Sequence, residues 1–243
     1  MSERRSSAPK RASTRPGRRP TRPRTLAEQG RGKRHDHRRM HEATWSREDA
    51  IAVLESAERR LTQDPNRLWS RVGLRRGEVV VDVGAGSGFY SFPAAERVGP
   101  AGRVFAVDVS EELVELLRER AEAMKVGNVE PLLSAPAHIP LDDAVADVAL
   151  LANVFHGIPP KTVDEAVRVL RPGGRFVDVD WKKQSTPEGP PVRHRLSASE
   201  AMRALSAHGL TPVRSFDLGP YHYVLVLERP TPAQRPSRLV SSE

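Results

Sequence analysis

The sequence predicts a doubly wound α/β domain on a mostly parallel sheet, and three observations carry that expectation. From Val79 to Asp180, short apolar runs alternate with amphipathic helical segments, the pattern of repeated β–α units. The first run, Val79–Val83, has three successive valines and only one polar residue, as expected of a strand covered on both faces. The chain then ends on two strand-like segments, Thr211–Asp217 and Tyr221–Glu228, joined across Leu218-Gly219-Pro220 with no helix between them. That hairpin adds one antiparallel member to the sheet.

Before the first strand, Ser46 opens a helical pattern with Ile51, Val53, Leu54 and Leu61 as its apolar face. A short helix is expected over Asn66–Val72. Past the first strand come a helix over Phe89–Val98, stopped near Gly99-Pro100, and a second strand over Val104–Val109. Glu111–Lys125 reads as a helix whose first acids suit its dipole. Val129–Leu133 and Asp147–Ala152 are the third and fourth strands. Lys161–Leu170 is a helix halted by Pro172-Gly173-Gly174, and Arg175–Asp180 is the fifth strand. Ser197 with Glu200 has capping-box spacing for a helix over Ser197–His208.

Charge divides the chain. Residues 1–40 carry 14 Lys/Arg against 3 Asp/Glu, so the formal charge of +8 belongs to the N-terminal tail. The tail is rich in Arg, Pro and Ser without apolar periodicity, and is expected to be disordered. The expected organisation is a basic tail at 1–40, a helical cap at 41–76, the α/β domain at 77–230 and a frayed end at 231–243. With no cysteine, disulfides, thiolate-held metals and a Cys nucleophile are excluded. His35, His37 and His41 cluster, but without Cys and in a tail they predict no metal site. No apolar run is long enough to span a bilayer, and no secretory h-region is present; the expectation is a cytoplasmic protein. The tail lacks aromatic residues to stack bases, so it predicts at most nonspecific nucleic-acid contact through counterion release.

The chemistry is concentrated in Val79-Val80-Val81-Asp82-Val83-Gly84-Ala85-Gly86-Ser87-Gly88-Phe89. It runs strand, glycine loop, helix. Alternate glycines let main chain approach a ligand closely, because no Cβ stands in the way. A dinucleotide loop spaces its glycines as GxGxxG; here the third glycine comes one position early, at Gly88. Asp108 closes the second strand, 20 residues after Gly88, where a carboxylate can accept from both hydroxyls of a ribose. NAD and adenosyl compounds both offer that diol, so Asp108 alone does not choose between them.

Taken together, the acid two residues before the first glycine, the Gly84/Gly86/Gly88 spacing, Asp108 and the terminal hairpin resemble the class I S-adenosylmethionine-dependent methyltransferases. The likeness extends over about Asp64 to Arg229. It includes Ala137-His138-Ile139-Pro140-Leu141-Asp142-Asp143 with Asp147, then Asn153-Val154-Phe155-His156, then Leu170-Arg171-Pro172-Gly173-Gly174-Arg175. These pieces are similar to the ubiquinone/menaquinone C-methyltransferase-like (type 11) branch. The resemblance implies a Rossmann-like, seven-stranded sheet in the order 3-2-1-4-5-7-6. It also implies S-adenosylmethionine as cofactor, with Asp82, Gly84, Ala85, Gly86 and Gly88 around its methionine end. Asp108 would then hold the ribose, Val109 pack on adenine, and Asn153 sit by the donor. This chain has Ala135 where the family often has an Asp for the adenine amino group, so that contact shifts to the backbone near Pro136.

His156 follows the fourth strand at the carboxyl edge, where open α/β sheets bind ligands, and is the candidate acid/base. Asp180 and Trp181 end the fifth strand beside the same crevice and are the candidate acceptor contacts; His194 falls in the segment after it. The expected acceptor is a small molecule. The alternatives are an RNA or protein acceptor recruited through the tail, and a nucleic-acid-binding module that has lost catalysis. Many enzymes that methylate the amino groups of bases carry an Asn-Pro-Pro-Tyr-type sequence, which Asn153-Val154-Phe155-His156 is not. Arsenite methylation relies on cysteines that this chain lacks.

Overall fold

The computed structural model describes Ile51 and residues 56–231. The predicted tail at 1–40, most of the cap segment before Ser56, and 232–243 lie outside the described residues.

The described chain runs α1 (Ala57–Thr62), α2 (Pro65–Val72), β1 (Val79–Val83), α3 (Ser91–Val98), β2 (Arg103–Asp108), α4 (Glu111–Ala123), β3 (Val129–Leu133), β4 (Ala146–Ala152), α5 (Pro160–Val169), β5 (Leu170–Trp181), α6 (Ala198–Ser206), β6 (Thr211–Leu218) and β7 (His222–Glu228). Seven strands form one sheet in the order β3-β2-β1-β4-β5-β7-β6. β7 runs antiparallel to both β5 and β6, and the other pairings are parallel. The predicted order and the single antiparallel strand are both present.

One sheet face buries Val80, Val104, Val148 and Val177 with Phe92 of α3 and Trp69 of α2. The other buries Val81, Ala149, Leu151 and Phe176 with Val163 of α5 and Leu205 of α6. Because both faces are covered, the central strands carry apolar residues at successive positions. Both edge strands contain a proline, Pro131 in β3 and Pro212 in β6; each removes a ladder donor, which discourages pairing with another sheet.

Local signals set the helix ends. Asp64 accepts from the amides of Asn66 and Arg67 with Pro65 in the first turn, so α2 starts one residue before its predicted start. Ser110 caps α4, and Ser197 with Glu200 completes a capping box on α6.

Four expectations need correction. The helix predicted from Ser46 through Leu61 is interrupted at Ser56, which is non-helical and caps α1 through its hydroxyl. Of its predicted apolar face, the described residues are exposed: Leu61 by 84% and Ile51 by 46%. The helix predicted from Phe89 starts at Ser91, because the third loop glycine prolongs the turn. The pause predicted at Pro172-Gly173-Gly174 is a bulge inside β5: the β4 register jumps from Ala146 opposite Leu170 to Val148 opposite Arg175. Gly174 is required there, since a Cβ would meet the Arg171 carbonyl oxygen at 2.8 Å.

Candidate functional site

The carboxyl ends of β1, β2, β4 and β5 open into a cavity of about 650 Å³. Volumes of this order hold small ligands. Its lining takes in Gly84, Ala85, Gly86, Asp108, Val109, Pro136, Asn153, His156 and Trp181, nine of the predicted site residues. Asp82, Gly88 and Asp180 stand outside the lining. A second cleft, about 760 Å³, runs between α3 and the end of α4 and holds only Gly88 among the predicted residues; the chemistry lies in the first.

The glycine loop is built differently from a loop of free amides. The Gly84 and Ala85 amides donate to the Val107 carbonyl at 2.8 and 3.0 Å, and the Gly86 amide donates to Asp108 Oδ2 at 2.8 Å. These donors fasten the loop to β2, and what the loop offers the cavity is bare main-chain surface. Gly84 sits at φ 75° with room for nothing more, since a Cβ would come within 2.8 Å of Val154. Gly88 serves packing: its Cβ position lies 2.6 Å from the Phe92 ring and 2.7 Å from Leu117.

Asp108 is held from the inside. Oδ2 accepts from Gly86 and Oδ1 from the Ser110 amide at 3.0 Å. Burial raises its pKa, and the amide bonds of Ser110 and Gly86 oppose that shift. Each carboxylate oxygen has a further lone pair, and the residue faces the cavity, so the pair of oxygens fits a vicinal diol. Val109 beside it is 58% exposed, an apolar surface suited to a flat ring. Asp82 lies one layer down. Its Oδ2 accepts from Ser91 Oγ at 2.6 Å, and burial pushes its pKa up to about 6.

Asn153, directly after β4, is in the left-handed region at φ 60°. Its amide donates to the Val179 carbonyl at 2.7 Å, which aims the side chain at the cavity. Nδ2 donates to Gln63 Oε1 at 2.8 Å, whereas the buried Oδ1 has no partner. Gln63, buried at the end of α1, also accepts from Tyr90 at 3.2 Å. One carbonyl oxygen thus ties the cap to the glycine-loop turn and to β4. Arg59 lines the same wall with its guanidinium 4.1 Å from the Phe89 ring centre.

His156 and Asp180 form the second chemical unit. His156 Nδ1 lies 2.9 Å from both Asp180 oxygens. A carboxylate only accepts, so Nδ1 is the donor in this pair. The His156 and Trp181 amides also donate to Asp180, at 3.3 and 2.7 Å. The two side chains are 4% and 3% exposed. Asp178, two residues earlier, is fully buried; burial first and Asp180 second raise its pKa well above the carboxylate range. Trp181 packs on His222 with ring centres 4.1 Å apart.

Sequence reasoning missed Gln63, Arg59, Ser110 and Arg195. Gln63 and Arg59 sit in a helix that carries no motif, and their roles come from contacts with Tyr90, Phe89 and Asn153 far along the chain. His194, in a short turn after β5, is not among the cavity residues. Among the described residues no group of His, Asp and Glu is arranged to hold a metal, and no helix is long and apolar enough to cross a membrane.

Residues 74–211 match the family model described as a methyltransferase domain. A ubiquinone/menaquinone biosynthesis C-methyltransferase of Escherichia coli is 30% identical over 182 residues, covering 70% of this chain and 68% of that protein. An arsenite methyltransferase of Halobacterium salinarum is 41% identical over 106 residues, 43% of this chain but 27% of its own length. An uncharacterised transposon protein of Streptomyces fradiae is 40% identical over 37% of its length; the chain thus spans well under half of these last two relatives. Among solved structures, a SAM-dependent methyltransferase from Aquifex aeolicus superposes with a TM-score of 0.71 at 33% identity, covering 74% of this chain and 96% of that one.

Proposed function

Because the chain belongs to the class I S-adenosylmethionine-dependent methyltransferases, we propose that it transfers a methyl group to a small-molecule acceptor, with His156 as general base. The observation that carries the base is the 2.9 Å contact of His156 Nδ1 with the Asp180 carboxylate, in a residue that lines the cavity. Relatives that act on small molecules, such as the quinone C-methyltransferase, support the acceptor class. The absence of cysteine speaks against the arsenite chemistry named for the Halobacterium relative.

The residues fit the cofactor. The orphaned Asn153 Oδ1 is an acceptor for an ammonium, and Arg59 is a cation for a carboxylate; a methionine moiety has both. Asp108 takes the ribose diol, Val109 and Pro136 the adenine faces. Gly84, Ala85 and Gly86 admit the chain of the methionine end. Asp82 and Gly88 act through packing, by fixing Ser91 and by seating α3 against α4.

When bound, the cofactor would supply an electrophilic methyl on sulfur, the sulfur keeping the C–S electron pair as the acceptor takes the methyl. The chain's part is to align the two in a cavity partly screened from water, which can contribute several kcal/mol, on the order of 7 when alignment is good. His156 removes the acceptor's proton at Nε2, worth about a hundredfold or more in rate. Asp180 holds the ring and stabilises the imidazolium that results.

Radiolabelled methyl donor is incubated with the protein and a cell extract, and products are separated by size. Label in the small-molecule fraction is expected. His156→Gln should lower that transfer by about a hundredfold while S-adenosylhomocysteine affinity stays within about twofold. Label confined to RNA or protein, and lost when residues 1–40 are deleted, would replace the small-molecule reading with the polymer one. An unchanged rate in His156→Gln would remove the base.

A further inference from the structure

We propose that Arg195 is a positioning residue that fixes the acceptor wall, by holding the segment 182–194 so that Pro187, Glu188 and Gly189 line the cavity beside Trp181. This rests on the reading of that cavity as the methyl-transfer site.

A guanidinium has five N–H donors in a rigid fork, and all five are matched here within one loop. Nε donates to the Pro190 carbonyl at 2.7 Å. Nη1 donates to the carbonyls of Lys182 and Gln184 at 3.2 and 3.0 Å. Nη2 donates to Thr186 Oγ1 at 2.8 Å and to the Glu188 carbonyl at 3.1 Å. The residue is 4% exposed, and among the described residues no carboxylate pairs with it. Burial lowers its pKa, with Asp180 acting the other way. A buried cation without an ion-pair partner is costly, and carbonyl dipoles of a single segment are what offset it. That segment has neither helix nor strand beyond one short turn, so Arg195 substitutes for the backbone ladder it lacks.

The loop so held is pressed on the reaction centre. The guanidinium carbon stands 5.0 Å from the Trp181 ring centre, and Trp181 follows Asp180 of the histidine dyad. Gly189, at φ 96°, crosses the indole so closely that a Cβ would lie 2.8 Å from it. Pro187, Glu188, Gly189 and Trp181 all face the cavity. None of the residues suited to the cofactor belongs to this loop, so the wall it forms is available to the acceptor.

Lysine keeps the charge but has three donors, too few for five acceptors, so Arg195→Lys separates fork geometry from charge. Gly189→Ala disturbs the same wall with Arg195 intact. Full-length native protein and both variants are compared by hydrogen exchange, by S-adenosylhomocysteine calorimetry, and by methyl transfer to a panel of small phenols, carboxylic acids and amines. In Arg195→Lys, amides of 182–194 should exchange at least about tenfold faster while those of β1 and β4 are unchanged. Acceptor KM should rise about tenfold or more in both variants, with kcat falling less than about threefold and S-adenosylhomocysteine affinity held within about twofold. Equal exchange of the loop in native protein and Arg195→Lys, or an unchanged acceptor KM, overturns the proposal. Loss of S-adenosylhomocysteine affinity together with faster exchange throughout the sheet would also overturn it, by making Arg195 a general fold residue. Native protein that fails to bind S-adenosylhomocysteine would instead count against the methyl-transfer reading itself.

Discussion

Asp82 and His222 carry opposite costs of burial, and each makes a pH-dependent statement about stability. Burial raises the Asp82 pKa to about 6 from 3.8, so the folded state binds the extra proton. Stability therefore falls as pH rises from about 4 through 6, and the cost, about 3 kcal/mol, is fully present above that. Asp82→Asn removes the charge and keeps an acceptor for Ser91. At pH 8 it should match or exceed the native stability by 1–2 kcal/mol in urea titrations, with less slope between pH 4 and 7. If Asp82 also touches the cofactor, affinity for S-adenosylhomocysteine falls in the same variant; if it only braces Ser91, affinity stays. His222 runs the other way. Burial, reinforced by Arg59, Arg195 and Lys182, holds it neutral, with its pKa lowered to about 3. Its unfolded form takes up a proton near 6.5, so stability is lost as pH drops below that value, by roughly 2 kcal/mol at pH 5. His222→Leu should lose less stability than native protein between pH 7 and 5; an equal loss would contradict the assignment. At this scale the sequence was informative where a residue sits in a motif: Asp108, Asn153 and His156 all reach the cavity. It was silent on Gln63 and Arg195, whose partners are carbonyls and side chains brought in by the fold, and on Asp180's place beneath His156 rather than in the lining.

Two loops frame the cavity and each is clamped by an arginine. Arg195 does this after β5. Arg168 of α5 does it after β3, donating to the Ile139 and Leu141 carbonyls at 2.9 and 2.8 Å and to Glu165 and Asp143. Glu165 in turn accepts from the Ile139 amide at 3.0 Å, and the Arg168 contact pulls its pKa down to about 2. Ser134, Pro136 and His138 of that loop line the cavity. Arg168→Ala should speed exchange of 135–143 and weaken S-adenosylhomocysteine binding about tenfold, measured by calorimetry, since the loop must then be ordered on binding. Ser197→Ala provides the contrast: it removes one cap of α6 and should cost about 1 kcal/mol of stability without changing that affinity. Helices and strands were legible because apolar period and caps are local signals. The bulge at Pro172-Gly173-Gly174 and the break at Ser56 were not, since the first is set by pairing with β4 and the second by contacts of the cap.

At the scale of the whole molecule, the order β3-β2-β1-β4-β5-β7-β6 places the glycine loop, Asp108, Asn153 and the His156–Asp180 pair at neighbouring strand ends. The residues proposed for the cofactor come from the ends of β1, β2 and β4, and those proposed for proton handling from beyond β4 and from β5. The alternation of strand and helix in the sequence was enough to predict that convergence, whereas the cap's link to it through Gln63 required the assembled fold. Central to the proposal is that the carboxylate at the end of β2, Asp108, takes an adenosyl ribose beside bare glycine main chain. Calorimetry with S-adenosylhomocysteine, native protein against Asp108→Ala, tests it most directly. The expected result is binding at one site, weakened about a hundredfold or more in the variant, or ~2.7 kcal/mol, and no heat with NADH. Native protein that ignores S-adenosylhomocysteine, or an Asp108→Ala variant that binds it as well, would contradict the account.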